Sequence, residues 1–317
     1  MRLRGLVWML VAVLAAAPGL ARADDNDLVL ARLAARTVDG NGVVTGVTPD
    51  NTAFRSLASA MGVVLAPQLL TPADTLGFGG FQFTVDATTT TIDGAAPYWR
   101  ALESAKDPTG TTGPFGPSSM STVGFFVRKG MWLPVPSFEV GAGAVHLGGS
   151  SAWTGQLYTK LALVEGYHQL PIPSIAVRGA VSRLMTQREL DLTVASFDVN
   201  VSKHIGVGGT WRLDPYIGYD VLAIIPRSEV LDPTPNIDPL APGNQDDAKL
   251  NFVFKDQNNI YRNRFYGGVK MQYYVVQLTL EAIFASAGST NDDRASIMAK
   301  DTTKAQRTLA LTAGFDF

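Results

Sequence analysis

The chain has 317 residues, 26 Lys and Arg against 28 Asp and Glu, no Cys, and 46% apolar residues. Its mean hydropathy of +0.11 excludes a disordered chain, because disorder needs low hydropathy and high net charge. Zero Cys excludes a disulfide scaffold, Cys-ligated zinc and a Cys nucleophile, and a net charge of −2 argues against a nucleic-acid partner.

Taken in chain order, the first element is a processing signal. Arg2 and Arg4 precede an apolar run from Leu6 to Ala17, Pro18 and Gly19 break it, and Ala21-Arg22-Ala23 supplies a small-x-small site. This predicts a secretory signal peptide over residues 1–23, cleaved before Asp24. The apolar run falls short of the ~20 residues of a spanning helix. Loss of Arg2, Arg4 and Arg22 leaves 23 basic residues against 28 acidic.

Residues 24–74 read as a helical, plug-like segment. Leu28, Leu30 and Leu33 suggest a short helix over Asp27–Arg36. Thr48-Pro49-Asp50 reads as a helix start, with Ala53, Phe54, Leu57, Ala58 and Met61 at helical spacing and Gly62 ending the run. A competing reading makes Ala60–Pro67 a strand, which with a partner raises the strand count to twelve. Two positions are open for the segment: inside the barrel lumen, or under its mouth.

From residue 75 the pattern changes to period-2 alternation, the signature of a strand between two media. Strands are predicted at 75–86, 121–131, 137–147, 152–165, 174–184, 190–203, 210–225, 261–273, 275–286 and 305–317. Ten strands of roughly 10–15 residues exceed the 5–6 typical of soluble sheets and match the ~9–11 needed to cross hydrocarbon, plus overhang. The intervening segments alternate in kind. Trp132–Pro136, Gly166–Pro173, His204–Gly209 and the Tyr274 junction are short, whereas the other set holds 87–120 and 226–260, both over thirty residues, and 287–304, along with two short connections at 148–151 and 185–189. That asymmetry belongs to bacterial outer-membrane barrels, whose short turns are periplasmic. Trp132, Tyr167, Trp211, Tyr273, Tyr274 and Phe317 all fall at the short-turn ends, as an interfacial aromatic girdle requires. Leu133-Pro134-Val135-Pro136 and Leu170-Pro171-Ile172-Pro173 read as a recurrent turn, since Pro is tolerated where a strand begins.

The chain ends in Leu309, Leu311, Ala313, Phe315 and Phe317 at every second position. This resembles the C-terminal strand signature of Gram-negative outer-membrane β-barrel proteins. The resemblance implies that Leu309, Leu311, Phe315 and Phe317 are read by the barrel assembly machinery, and that the protein lies in the bacterial outer membrane. No subfamily follows. The fold class is therefore all-β: a transmembrane antiparallel up-and-down barrel of about ten strands over 75–317.

On the polar side of these strands lie Arg128, Lys160, Arg178, Arg212, Asp214, Asp220, Arg262, Arg264, Lys270 and Glu281. Charges face lipid at ~2–4 kcal/mol for Arg or Lys near the midplane, so they are expected to line the lumen. They form either a polar conduit with a basic bias or a salt-bridged, closed interior; ten strands enclose little free space. His146, His168 and His204 are scattered, with no Ser or acidic partner set for nucleophilic catalysis and no metal-ligand spacing. The expectation is no enzyme, no metal and no cofactor. The acidic tracts (Asp86 and Asp93-Gly94, Asp232–Asp238, Asn244–Asp247, Asn291–Arg294) lack the EF-hand spacing and read as solvated loops. Tyr98 and Trp99 suggest a short loop helix that caps the barrel or touches lipopolysaccharide. The expected partners are outer-membrane lipids, lipopolysaccharide and the assembly machinery. Two functions stay open: a narrow porin-like channel or passive carrier for a small solute, and a structural or adhesion-type barrel working through loops 87–120 and 226–260.

Overall fold

A computed structural model describes residues 24–107, 113–132, 137–166, 172–237 and 246–317. The signal peptide, Leu133-Pro134-Val135-Pro136, Tyr167, His168 and the Leu170-Pro171 half of the second Leu-Pro-x-Pro turn fall outside those residues. Leu30–Leu33 forms one 3₁₀ turn, followed by strands β1 (Ala34–Val38) and β2 (Val44–Pro49), helix α1 (Asn51–Val64), then β3 (Phe81–Thr91), β4 (Ser119–Met131), β5 (Phe138–Leu147), β6 (Trp153–Val164), β7 (Ser174–Leu184), β8 (Leu190–Ser202), β9 (Ile205–Val207), β10 (Trp211–Ser228), β11 (Ile260–Tyr273), β12 (Val276–Ala285) and β13 (Gln306–Asp316). All strand pairs are antiparallel. Strands β3 to β8 and β10 to β13 pair in sequence order, and β13 closes on β3 from Thr308↔Thr90 to Asp316↔Gln82. The result is a closed ten-stranded barrel with no sheet edge, the form in which a strand protein satisfies its backbone in lipid. Among the described residues no helix is long and apolar enough to cross a membrane.

Alternation sets the two faces. In β3, Gln82, Thr84, Asp86, Thr88 and Thr90 are buried inside, while Phe83 and Val85 are exposed outside. In β13, Leu309 is 69% exposed and Leu311 and Phe315 lie on the same outer belt, opposite the buried Thr312 and Ala310. Trp132, Trp211, Tyr273, Tyr274 and Phe317 are exposed at the short-turn ends, with Trp211 and Tyr273 4.7 Å apart between ring centres.

Several expectations shift. The first barrel strand begins at Phe81, not residue 75, because residues 65–76 run as an irregular segment inside the barrel and return to the wall through a Gly77–Gly80 turn. Gly77 and Gly79 there have φ of +70° and +86°, a region open to glycine. Asp86, placed by sequence in an acidic loop, is a buried wall residue of β3. The helix over Asp27–Arg36 is only a 3₁₀ turn, and 34–49 folds as a β1–β2 hairpin outside the barrel, so neither strand raises the barrel count to twelve. The Ala60–Pro67 strand is instead the end of α1 and the turn that follows it. The helix is capped by Asp50, whose carboxylate accepts from Ala53 N at 2.9 Å, not by Thr48. It also runs two residues past Gly62, because that glycine serves packing: a Cβ there would sit 2.5 Å from Ile224 of β10.

The N-terminal segment occupies the lumen. Asn26 and Val29 bond to Gly149 and Ala101 at the long-loop end, each at 2.7 Å. From there α1 enters the barrel, and Ala53 through Val64 are all buried. Phe54, Leu57, Met61 and Leu65 pack against Met120, Leu147, Leu192, Leu222, Ile224 and Ile260 of the wall, and Phe54 stacks on Phe254 of the 229–259 loop at 4.5 Å. The long-loop half of the barrel thus has an apolar core like that of a soluble protein, with wall strands on one side and a helix on the other.

Candidate functional site

Below α1, residues 65–76 cross the lumen without regular secondary structure, and such backbone carries donors and acceptors that need partners. The wall supplies them with side chains. Ser182 donates to Leu65 O at 2.7 Å. Gln156 Oε1 accepts from Gln68 N at 3.0 Å. Arg264 Nη2 donates to Pro67 O at 3.1 Å, and Arg178 Nη1 to Leu69 O at 2.7 Å. Glu281 Oε2 accepts from Leu70 N at 3.1 Å; Asn200 donates to Thr71 O at 2.8 Å; Lys160 Nζ donates to Pro72 O and Asp74 O at 3.2 and 2.8 Å. Ser202 accepts from Ala73 N at 3.0 Å, and Glu139 from Leu76 N at 3.0 Å. Pro67 and Pro72 bring no N–H, so the segment asks for fewer acceptors than its length implies.

The same wall charges pair across neighbouring strands. Arg178 lies 2.7 Å from Asp198, Arg264 2.6 Å from Asp220 and Lys160 3.2 Å from Glu139. Arg212 reaches both Asp214 at 2.7 Å and Asp74 of the lumen segment at 3.1 Å, and Lys270 reaches Asp316 at 3.0 Å. Arg128 donates to Gln82 at 2.6 Å and lies 3.9 Å from Asp86. Arg262 instead meets Ser59 of α1 and Thr303, at 2.8 and 2.7 Å. Glu281 takes Tyr216 Oη at 2.7 Å. All ten sequence-predicted lumen residues sit on the interior side, and nine of the ten are buried, Arg212 being half-buried.

Sequence reading missed the partners Asp86, Glu139, Asp198, Gln82, Asn200 and Tyr266, and put Gln156, Tyr158 and Tyr216 on the polar strand faces without giving them a role. Each lies in the same alternation phase as the charges named above. The findable signal is electrostatic: a buried cation is costly without a partner, so each lumen Arg calls for an acid on an adjacent strand. What alternation does not carry is the lumen segment itself, whose own side chains are mostly apolar.

Toward the short-turn end the lumen widens into a vestibule of about 320 Å³ lined by Asp74, Glu139, Lys160, Arg212, Lys270 and Gln277, with Leu70–Leu76 as its floor. The histidines are far from one another in role: His146 faces outward beside Trp153, 4.7 Å between rings, and His204 Nδ1 lies 2.9 Å from Asp214 at a short turn. Among the described residues no three His, Asp or Glu gather as a metal site.

The long-loop end is built by residues far apart in sequence. The Asp27 carboxylate accepts from Ser150 and Ser151 N at 2.8 Å each and from Gln187 at 3.0 Å. Burial pushes that carboxyl up, but these hydrogen bonds outweigh it and hold it below the usual carboxylate value. Glu189 accepts from Leu30 N at 2.5 Å, and burial raises its carboxyl. Tyr98 and Trp99 are buried in a 3₁₀ turn, Pro97–Ala101, inside this cap, so they brace α1 and do not face solvent. Asp292 is held low by Arg294, which donates to it at 2.6 Å. The β1–β2 hairpin projects outward, with Val38 and Val43 more than half exposed.

These features define a transmembrane β-barrel whose lumen is filled by its own N-terminal segment. Solved barrels resemble it weakly. Neisserial surface protein A is 12% identical, with a TM-score of 0.28 over 75% of this chain and 97% of that one. Ail, the attachment invasion locus protein of Yersinia pestis, is 8% identical, with a TM-score of 0.28 over 76% and 99%. The outer-membrane protease OmpT of Escherichia coli is 10% identical, with a TM-score of 0.25 over 80% and 99%. At such scores no function passes from them to this chain. No protein-family model matches the sequence, and no curated protein matches it.

Proposed function

We propose that the protein is a closed barrel of the bacterial outer membrane that works through its long-loop face, as a structural or adhesion-type element. One observation carries this reading: α1 and residues 65–76 fill the lumen, and most of the wall charges are paired with one another or with that segment's backbone, Arg262 being held by Ser59 of α1 and Thr303. The apolar belt, the aromatic short-turn ends and the Phe317-terminated last strand support insertion by the barrel assembly machinery with the short turns periplasmic. In that orientation the mature N-terminus and the β1–β2 hairpin stand at the cell surface, beside the 92–118 and 229–259 segments. Among the described residues the vestibule is the one feature favouring a solute path, and it ends on the lumen segment. No reaction is assigned to the chain.

The native chain has no Cys, so Asn41→Cys places a single thiol at the hairpin tip. A membrane-impermeant maleimide should label it on intact cells. Cutting the 229–259 segment to a short turn should then reduce surface attachment or envelope integrity while barrel content stays constant. An unlabelled thiol, or a shortened loop with no phenotype, overturns the reading.

A further inference from the structure

The lipid-facing belt carries a groove of about 750 Å³ on strands β4 to β7. Its origin lies in one row of cross-strand neighbours: Lys129↔Val140, Val140↔Thr159, Thr159↔Gly179, Gly179↔Phe197. Side chains shrink along this row to Gly179 and then rise at Phe197, which is 57% exposed. A Cβ built on Gly179 would meet nothing within 4 Å, so the trough is open space. The next row toward the membrane centre has Ala142 beside Leu157, which is 60% exposed and forms a wall. The backbone ladder is continuous beneath, so this is a surface trough and not a gap in the barrel.

Lys129 lies at the short-turn end of that trough. Among the described strand residues it is the one charge facing outward in the short-turn half of the belt; Arg183, Asp191, Arg227 and Arg307 all lie at long-loop ends. Its ammonium donates to Gly79 O at 2.6 Å, which draws it toward the membrane surface and leaves two N–H donors. A Lys in this position reaches the headgroup level by extending its stem along apolar surface. An apolar trough with a single cation at its interfacial end matches an amphiphile with an anionic head and an alkyl tail.

We propose that this groove holds one diacyl phospholipid of the leaflet at the short-turn end, its phosphate on Lys129 Nζ and an acyl chain in the trough at Gly179. Assigning that leaflet to phospholipid rather than lipopolysaccharide rests on the orientation given above. Displacing a few methylenes, or deleting one charge contact, should each change occupancy about tenfold.

The test is native mass spectrometry of the full barrel extracted from membranes into a mild detergent. Wild type should retain one phospholipid per chain. Gly179→Leu, which fills the trough from a strand position that tolerates Leu, and Lys129→Gln should each lower retention about tenfold. Leu280→Ala, on the opposite belt, should leave it unchanged, and all three variants should keep the heat-modifiable gel mobility of a folded barrel. A wild type with no bound lipid, or a Gly179→Leu variant that retains it fully, overturns the proposal and leaves the closed-barrel reading standing. Retention of lipopolysaccharide instead contradicts both the proposal and the orientation.

Discussion

Arg178→Met is the most informative single perturbation of the lumen. The Arg178 side chain is 2% exposed, pairs with Asp198 at 2.7 Å and donates to Leu69 O at 2.7 Å and Thr71 Oγ1 at 3.0 Å. Met preserves the stem but removes the charge and every donor. Breaking a buried ion pair from one side costs about 3–5 kcal/mol, because the remaining charge is stranded. Here Asp198 would keep only Tyr266 Oη, at 2.7 Å. Leu69 O would also lose its donor, worth about 1–3 kcal/mol if nothing replaces it. The expected loss is therefore about 4–8 kcal/mol. The double variant Arg178→Met/Asp198→Leu removes both charges and should recover most of this, leaving about 1–2 kcal/mol for the orphaned carbonyl. Urea unfolding of the barrel in micelles, followed by Trp fluorescence and by gel mobility, measures both. A single-variant loss under about 1 kcal/mol, the scale of an exposed pair, would refute the idea that this arginine clamps a dry lumen segment.

Two further outcomes follow from the same packing. Leu57→Ala, at a fully buried position of α1, should destabilise by about 2–5 kcal/mol, and hydrogen exchange should locate the loosening in residues 51–76 before the barrel strands; uniform exchange would contradict a separately packed plug. Asp27 is held below its usual value by hydrogen bonds, so its contribution is present above the ordinary carboxylate pKa and fades as pH falls below about 4. Residues 24–33 should then be cut by an acid-active protease near pH 3 far faster than at pH 5. Glu189, raised by burial, acts with the opposite sign, since its neutral form is the favoured one. Equal cutting at the two pH values would remove Asp27 as the clamp.

The barrel strands were legible because a wall between lipid and a polar interior enforces strict alternation; nine of the ten strands fall within about three residues of their sequence-based bounds. Beyond the barrel, legibility stopped where alternation did. Residues 34–49 pair only with each other, with no buried face to impose a period, so Gly40 and Gly42 looked like a loop. The start of β3 was misplaced because Leu76 and Phe78 continue the apolar alternation of the strand in sequence, whereas the chain up to Leu76 is held inside by polar side chains from seven strands and Gly77–Gly80 forms a turn. Lumen charges were visible as a set. Their purpose was not, because the sequence shows a charge but not whether its partner is a solute, a neighbouring strand or a carbonyl such as Leu69 O. Gly62 illustrates the same limit: glycine inside a helical pattern reads as a stop, and only the position of Ile224 shows it to be a point of close approach.

The claim that the N-terminal segment closes the lumen is tested most directly by planar-bilayer recording of the refolded full-length protein, with folding verified by gel mobility, alongside a form lacking residues 24–76. The full-length barrel should be electrically silent and the shortened one should conduct. A steady ohmic current through the full-length protein would contradict the account.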